Sequence, residues 1–465
     1  MPDRLLVLVP HQDDELNIAG QVLPSFLDAG YECKICFSTN GDGFKSNGPV
    51  RIKEAIEVAD YLGVGCDNLV FLGFDDTTGP DHPYNRVSDE AVTCSPPCRT
   101  YSGRFPCFSE IWNGAPLPQC RETLVSNLCE LISAWLPDTI ICIDYDSHPD
   151  HRALSLAFEK ALGRVMRAIE GYRPLVLKKF AYTSVWYGPS DYWAFAPTVK
   201  PDPCGEFELD NPMYSWDDRV CVAPHPSTIT RHFFSNAIVK AALRYPSQNG
   251  WSFMTRVLNA DVVYWVRRTD NLVLDANLES SSGMAANLAG FALFDTADVC
   301  SNDSSALAVG CFRFDEDDSD RMVRISFDSP RSVSEFIVRE AADSFGTFTG
   351  ATVSIDAGSE CAMARSEAHP GRFVFSLPHP VDARVIKFRF DEGEGIHGIA
   401  SIEVYPTSKM AYAPLRDFVR LAEEPTVLTP SNIRPERILK LMARITGKIA
   451  NVKLKRRERG YTNCH

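Results

Sequence analysis

Two apolar runs far apart in the chain, Leu5-Leu6-Val7-Leu8-Val9 and Thr139-Ile140-Ile141-Cys142-Ile143, each break into a turn loaded with imidazole and carboxylate groups. Short continuous apolar runs suit strands buried on both faces, as in the middle of a parallel sheet. Open α/β sheets bind ligands in the crevice beyond the carboxyl ends of their strands. Pro10-His11-Gln12-Asp13-Asp14-Glu15 and Ser147-His148-Pro149-Asp150-His151 therefore stand where such a sheet places its chemistry.

The alternation of strand-like and helix-like runs continues from Arg4 to about Arg268. Strands are expected at 5–9, 32–38, 69–72, 139–143 and 177–183, with helices from Asp13 to about Leu27 and over 50–62, 123–135 and 153–169. This succession implies right-handed crossovers and an α/β Rossmann-like, mostly parallel sheet. After about Leu272 the pattern shortens to alternating runs at 322–327, 335–338, 352–355, 372–377, 384–390 and 401–405, parted by Gly, Asp, Ser and Pro, which predicts an all-β antiparallel sandwich. A proline-punctuated linker then leads to a helix on which Ile438, Met442, Ile445, Ile449 and Val452 recur at helical spacing, with Lys and Arg on the other faces. The expected domains are 1–272, with an insertion at about 77–120, then 273–406, then 407–465 as linker and basic amphipathic helix.

A chain of 465 residues, 45% hydrophobic and 23% charged, has the composition of a multidomain globular protein. Its net charge of −14 argues against nucleic-acid binding, which needs a basic face. The N-terminus enters a core strand at once, no apolar run approaches a membrane span, and Cys33, Cys36 and Cys142 fall in expected strands, where thiols are buried and reduced. The expected location is cytoplasmic, with attachment to the inner face of a membrane open through the basic terminal helix, for which docking and self-association are the competing roles.

Catalytic zinc commonly takes three protein ligands and keeps one position for water. His11, Asp14 and His151 suit that role. A further carboxylate must take the water's proton and a donor must stabilise the oxyanion. Asp13 and His148 suit these, with Asp150 placed to orient and charge His148. The bland alternative is that the acids merely cap the helices that follow each strand. Capping needs one carboxylate, however, and does not require His11 beside it.

The paired motifs resemble the PIG-L/LmbE family of zinc-dependent N-acetylglucosaminyl deacetylases, whose members carry His-Pro-Asp-Asp-Glu after the first strand and His-Pro-Asp-His later. The resemblance implies metal ligands at His11, Asp14 and His151 and a general base at Asp13. Arg51-Ile52-Lys53-Glu54 resembles the family's Arg-x-x-Glu helix and Leu72-Gly73-Phe74-Asp75-Asp76 its Leu-Gly-Tyr-x-Asp segment, which implies sugar contacts at Arg51 and Asp76. The stretch from Lys240 through Ser247-Gln248 resembles a late helix ending in His-x-Ser-Gln. Gln12 stands where the family has proline and Tyr245 where it often has histidine, and the Tyr145-Asp146-Ser147 approach differs from that of members in which a tyrosine assists. The implied activity is removal of an acetyl group from an N-acetylated sugar or glycoconjugate with Zn2+, or another divalent ion such as Fe2+. A different amide substrate and a non-catalytic carbohydrate-binding scaffold are the rival readings. The stretch near 396–405 resembles the closing strand of discoidin-like, galactose-binding sandwiches. Cys94, Cys98, Cys107 and Cys120 lack tight zinc-knuckle spacing, so the insertion is expected to be a lid or rim.

Overall fold

The computed structural model of the protein describes residues 2–43, 48–86, 106–181, 211–230, 235–248, 258–259, 261–301, 303–391, 393–395 and 397–409. β1 (Arg4–Val9), β2 (Glu32–Thr39), β3 (Leu69–Phe74), β4 (Thr139–Ile143) and β5 (Leu175–Lys179) are the parallel part of a seven-stranded sheet. β6 (Arg219–Val222) and β7 (Val262–Val266) extend it by antiparallel pairing beyond β5. The spatial order is β3-β2-β1-β4-β5-β7-β6, so the winding reverses between β1 and β4. At that reversal the loops after neighbouring strands splay apart and leave a crevice. β1 and β4 run in register from Leu5↔Thr139 to Leu8↔Cys142, and the two polar turns leave the sheet side by side.

The helices of this domain are α1 (Asp14–Ile18), α2 (Leu23–Asp28), α3 (Gly48–Leu62), α4 (Phe108–Asn113), α5 (Arg121–Trp135), α6 (Pro149–Ala168) and α7 (Ala237–Ala242). The single helix expected after β1 is divided into α1 and α2. A Cβ on Gly20, between them, would lie 2.7 Å from the Leu16 carbonyl oxygen and 2.8 Å from Ile238 Cδ1, so α7 approaches too closely for a side chain there. The last parallel strand ends at Lys179, short of the 183 expected.

Downstream the strands are β8 (Asn277–Ser280), β9 (Phe312–Arg313), β10 (Met322–Glu340), β11 (Gly350–Ile355), β12 (Cys361–Ala362), β13 (Ala364–Arg365), β14 (Arg372–Asp391) and β15 (Gly398–Tyr405). Four of the runs expected here fuse in pairs into β10 and β14, which form one long antiparallel ribbon with register shifts between Ser326 and Arg331 and between Val333 and Glu335. Such shifts bend a ribbon and sharpen its twist. The first half of β10 pairs with β8 and its second half with β15, while β14 pairs with β13 at its start and β11 at its end. The two halves thus bring two antiparallel layers around one core that includes Val323, Ile325, Phe336, Phe388, Ile402 and Val404.

Buried ion pairs join this unit to the sheet: Glu403 Oε1 accepts from Arg267 Nη1 at 3.0 Å and Arg339 Nε at 3.2 Å, and Arg372 grips Asp218 through both nitrogens at 3.0 and 2.6 Å. No helix among the described residues is long and apolar enough to cross a membrane. The expected terminal helix, Cys94, Cys98 and the stretch 87–105 lie outside the described residues.

Candidate metal centre

His11 to Asp14 fill the turn after β1, and His148 to His151 open α6 after β4. Asp14 Oδ2 sits between two imidazoles, 3.0 Å from His11 Nδ1 and 3.3 Å from His151 Nε2. The far nitrogen of each ring meets its own carboxylate: His11 Nε2 lies 3.1 Å from Asp150 Oδ2, and His151 Nδ1 lies 2.8 Å from Asp146 Oδ2. Carboxylate support of this kind fixes the tautomer of a metal-ligating histidine and strengthens it as a ligand. Potential ligand atoms of His11, His148 and His151 lie within 4.8 Å of one another, as do those of His11, Asp76 and Asp150.

The electrostatics favour a cation. Burial works to lower the imidazoles, but Asp76, Asp14 and Asp150 hold His11 well above its ordinary value, and Asp146 and Asp14 bring His151 up to about 9. Burial works to raise Asp14, yet His151 and His11 hold it well below the usual carboxylate range. The field that keeps protons on these rings is the field that would retain a dication, and two imidazoles with one carboxylate are a donor set suited to zinc.

Asp13 is buried beside this group at φ 139, a backbone conformation that L-residues rarely adopt and that clusters at functional sites. Its Oδ1 accepts no hydrogen bond and lies 3.6 Å from Arg51 Nη2. Burial first, and then the neighbouring Asp14, push its carboxyl up to about 7. Behind it Glu15 accepts from the Asp13 backbone N–H at 2.9 Å and the Tyr245 hydroxyl at 2.6 Å. Glu54 accepts from Ser247 through both backbone N–H and hydroxyl, at 3.1 and 2.5 Å. The weak late motif thus closes onto both early ones, with Tyr245 supplying the donor. Gln12 has a role of its own, its amide donating to the Thr39 carbonyl at 2.9 Å and tying the β1 turn to the end of β2.

One expectation needs correction. The Asp150 carboxylate does not bond His148, which lies 3.8 Å away; it takes His11 Nε2 and, through Oδ1 at 2.9 Å, His82 Nε2. His148 Nδ1 instead accepts the Asp150 backbone N–H at 3.3 Å as the cap of α6. Burial, with His11 and His151 nearby, lowers His148 to about 4, so it is neutral rather than charged. Arg51 and Asp76, expected as sugar contacts, meet each other and the turn after β1. They pair at 3.3 Å, Arg51 Nη2 donates to the Gln12 carbonyl at 3.1 Å, and Asp76 Oδ1 lies 3.6 Å from His11 Nε2. Tyr145 packs edge-on against Phe294.

His82, Asp146 and Glu15 are the site residues that sequence reasoning missed. Cys107 and Cys120 are buried at the starts of α4 and α5 and fall in no cluster of potential metal ligands among the described residues.

Residues 6–162 match the family model described as PIG-L, GlcNAc-PI de-N-acetylase. No curated protein matches. Among solved structures, the N,N'-diacetylchitobiose deacetylase from Pyrococcus horikoshii is 20% identical, covering 40% of this chain and 62% of that one, with a TM-score of 0.26. A conserved protein from Thermus thermophilus is 21% identical over 40% of this chain and 70% of that one, at a TM-score of 0.26. The family 32 carbohydrate-binding module of C. perfringens NanJ, in complex with galactose, is 16% identical over 28% of this chain and 94% of that one, at a TM-score of 0.20. Both acidic histidine turns, side by side at the switch point, lie within the residues that match this family model.

Proposed function

We propose that the protein is a metal-dependent amidohydrolase, with zinc the ion its donor set suits, that removes the acetyl group from an N-acetylated sugar such as an N-acetylhexosamine of a glycoconjugate or polysaccharide. The observation that carries this reading is the convergence of His11, Asp14 and His151 with Asp13 buried beside them and its Oδ1 accepting no hydrogen bond. The family description, GlcNAc-PI de-N-acetylase, supports the substrate class. His11 Nδ1, Asp14 Oδ2 and His151 Nε2 would hold the ion, which when bound supplies Lewis acidity at the scissile carbonyl.

Asp13 takes a proton from water as the water oxygen adds to the acetyl carbon. It returns a proton to the sugar nitrogen as the C–N bond breaks, releasing acetate and the free amine. A buried carboxyl with an oxygen that accepts no hydrogen bond among the described residues is placed to take and give that proton. Nδ1 of His148 accepts a backbone N–H, which puts the ring hydrogen on Nε2 as a donor to the developing oxyanion. Arg51, between Asp13 and Asp76, keeps the base from rising further.

The test is metal analysis of the purified chain together with acetate release from a panel of N-acetylated sugars. One bound divalent ion per chain and turnover that falls ~100-fold or more in Asp13→Ala with metal retained are expected. A chain that retains no ion, or an Asp13→Ala variant at wild-type rate, overturns the assignment. Activity confined to amides other than acetamido sugars overturns the substrate class alone.

A further inference from the structure

His82 lies in the insertion after β3, is 2% exposed, and belongs to none of the paired motifs. Both its nitrogens are committed. Nδ1 accepts the Tyr84 backbone N–H at 3.0 Å, which puts the ring hydrogen on Nε2, and Nε2 donates to Asp150 Oδ1 at 2.9 Å. The other oxygen of Asp150 meets His11 Nε2 at 3.1 Å, so a continuous chain of contacts runs from His82 through Asp150 to the imidazole whose far nitrogen faces Asp14.

The turn that carries His82 is held by a segment far from it in sequence. The Tyr84 hydroxyl donates to Asp295 Oδ1 at 2.9 Å, Asn85 Nδ2 donates to Asp298 Oδ1 at 2.7 Å, and Asn85 Oδ1 accepts the Val299 N–H at 3.0 Å. Arg152, next to His151 on α6, closes the bracket. It donates to the carbonyls of Val299 and Ser301 at 3.2 and 2.7 Å and, through Nε, to the Asp146 carbonyl at 2.6 Å. Residues 295–301 follow β8 in sequence, but Phe294 and Val299 pack in the core of the first domain, and the segment contacts both the His82 turn and the His151 turn.

We infer that His82 is a positioning residue for the metal centre, fixing Asp150 and through it His11, and that residues 295–301 clamp it in place. A segment that follows β8 in sequence is then part of the centre's support. The inference rests on the metal-binding part of the proposed function and not on the identity of the sugar. A carboxylate that orients a ligating histidine is worth roughly 10- to 100-fold in metal affinity, and a carboxylate with one oxygen released can swing away from its ring.

The test uses the full chain and Zn2+ itself, with affinity measured by chelator competition, the Co2+-substituted absorption spectrum as a signature of ligand geometry, and unfolding of the metal-free protein as the control. His82→Asn separates the roles, because Asn can cap the Tyr84 N–H as His82 does but is too short to reach Asp150. It is expected to weaken Zn2+ binding by about 10- to 100-fold and shift the Co2+ bands, with little change in metal-free stability. Tyr84→Phe, which removes only the hydroxyl contact to Asp295, is expected to act in the same direction and less. Unchanged affinity and spectrum in His82→Asn overturn the positioning role, and unchanged affinity in Tyr84→Phe overturns the clamp, including in the case where His82→Asn does not fold. Two ions per chain, one of them lost in His82→Asn, also overturn it, because His82 and Asp150 would then be ligands themselves. A wild-type chain that binds no ion overturns the metal reading instead.

Discussion

Replacing Asp13 by Asn should make the metal-free protein more stable while abolishing its activity, and the gain should grow with pH. The carboxyl ordinarily titrates at 3.8 and is pushed up to about 7 in the fold, by burial and then by Asp14. With its pKa raised on folding, the sign is the reverse of a salt-bridged carboxylate. Below 3.8 both states are protonated and nothing is lost, whereas between 3.8 and 7 the unfolded chain ionises, the folded one resists, and stability falls. The penalty is ~4 kcal/mol at pH 8 and ~2 kcal/mol at pH 5. Asn carries no such penalty and keeps the strained backbone at φ 139, so that cost cancels in the comparison. Denaturant unfolding of wild type and Asp13→Asn, each with chelator, should show a stability difference about 2 to 3 kcal/mol larger at pH 8 than at pH 5. The difference should shrink when Zn2+ is added, since a dication beside the carboxylate offsets its desolvation. A stability difference that does not depend on pH would refute the claim that Asp13 is held near neutrality by its surroundings.

Arg51→Met removes the cation 3.6 Å from Asp13 and 3.3 Å from Asp76, so the base should rise further and the acidic limb of the kcat/KM profile should move to higher pH; a limb that stays in place rules out Arg51 as the group that tunes Asp13. Glu403→Gln leaves Arg267 and Arg339 buried around a neutral partner and should cost about 3–5 kcal/mol in denaturant unfolding, a loss under about 1 kcal/mol showing that the pairs do not hold the two units together. Burial opposes ionisation of Glu403, but Arg339 and Arg267 lower it to about 2, so its contribution is present above about 4.5 and should be lost as pH falls toward 2.

The parallel sheet was legible because each of its central strands is a short apolar run closed by a turn, a local signal that tertiary context does not override. The grouping of the candidate site's residues was legible for a similar reason. His11 and Asp14 are three residues apart, His148 and His151 likewise, and a turn that begins a helix presents such pairs together. What crosses the chain was not legible. Nothing in the runs at 322–327 and 335–338 indicates that they are one bent strand, because the register shifts between Ser326 and Arg331 depend on how β14 pairs opposite them. The division of α1 from α2 depends on Ile238, far downstream, reaching the position of a Cβ at Gly20.

Histidine followed by proline shows where a local signal stops being informative. In His82-Pro83, His148-Pro149 and His225-Pro226 the ring Nδ1 accepts the N–H two residues on, as it also does in His369-Pro370 with Gly371. Proline explains the recurrence: it fixes the backbone of the first residue of a turn and has no N–H of its own, so the histidine ring caps the next one. Local physics therefore makes the four sites alike, and only what meets Nε2 tells them apart. For His82 it is Asp150 in the metal centre, for His225 it is Asp28 at the surface, and for His369 it is the Pro212 carbonyl at the boundary between the two units. The fifth His-Pro in the chain, His379-Pro380, lies inside β14, so it is the dipeptide at a turn that sets the tautomer at these four positions, and the partner that decides function is supplied each time by a segment distant in sequence or by the fold around it. A histidine outside the paired motifs can thus reach the candidate site without any local mark distinguishing it from one that does not.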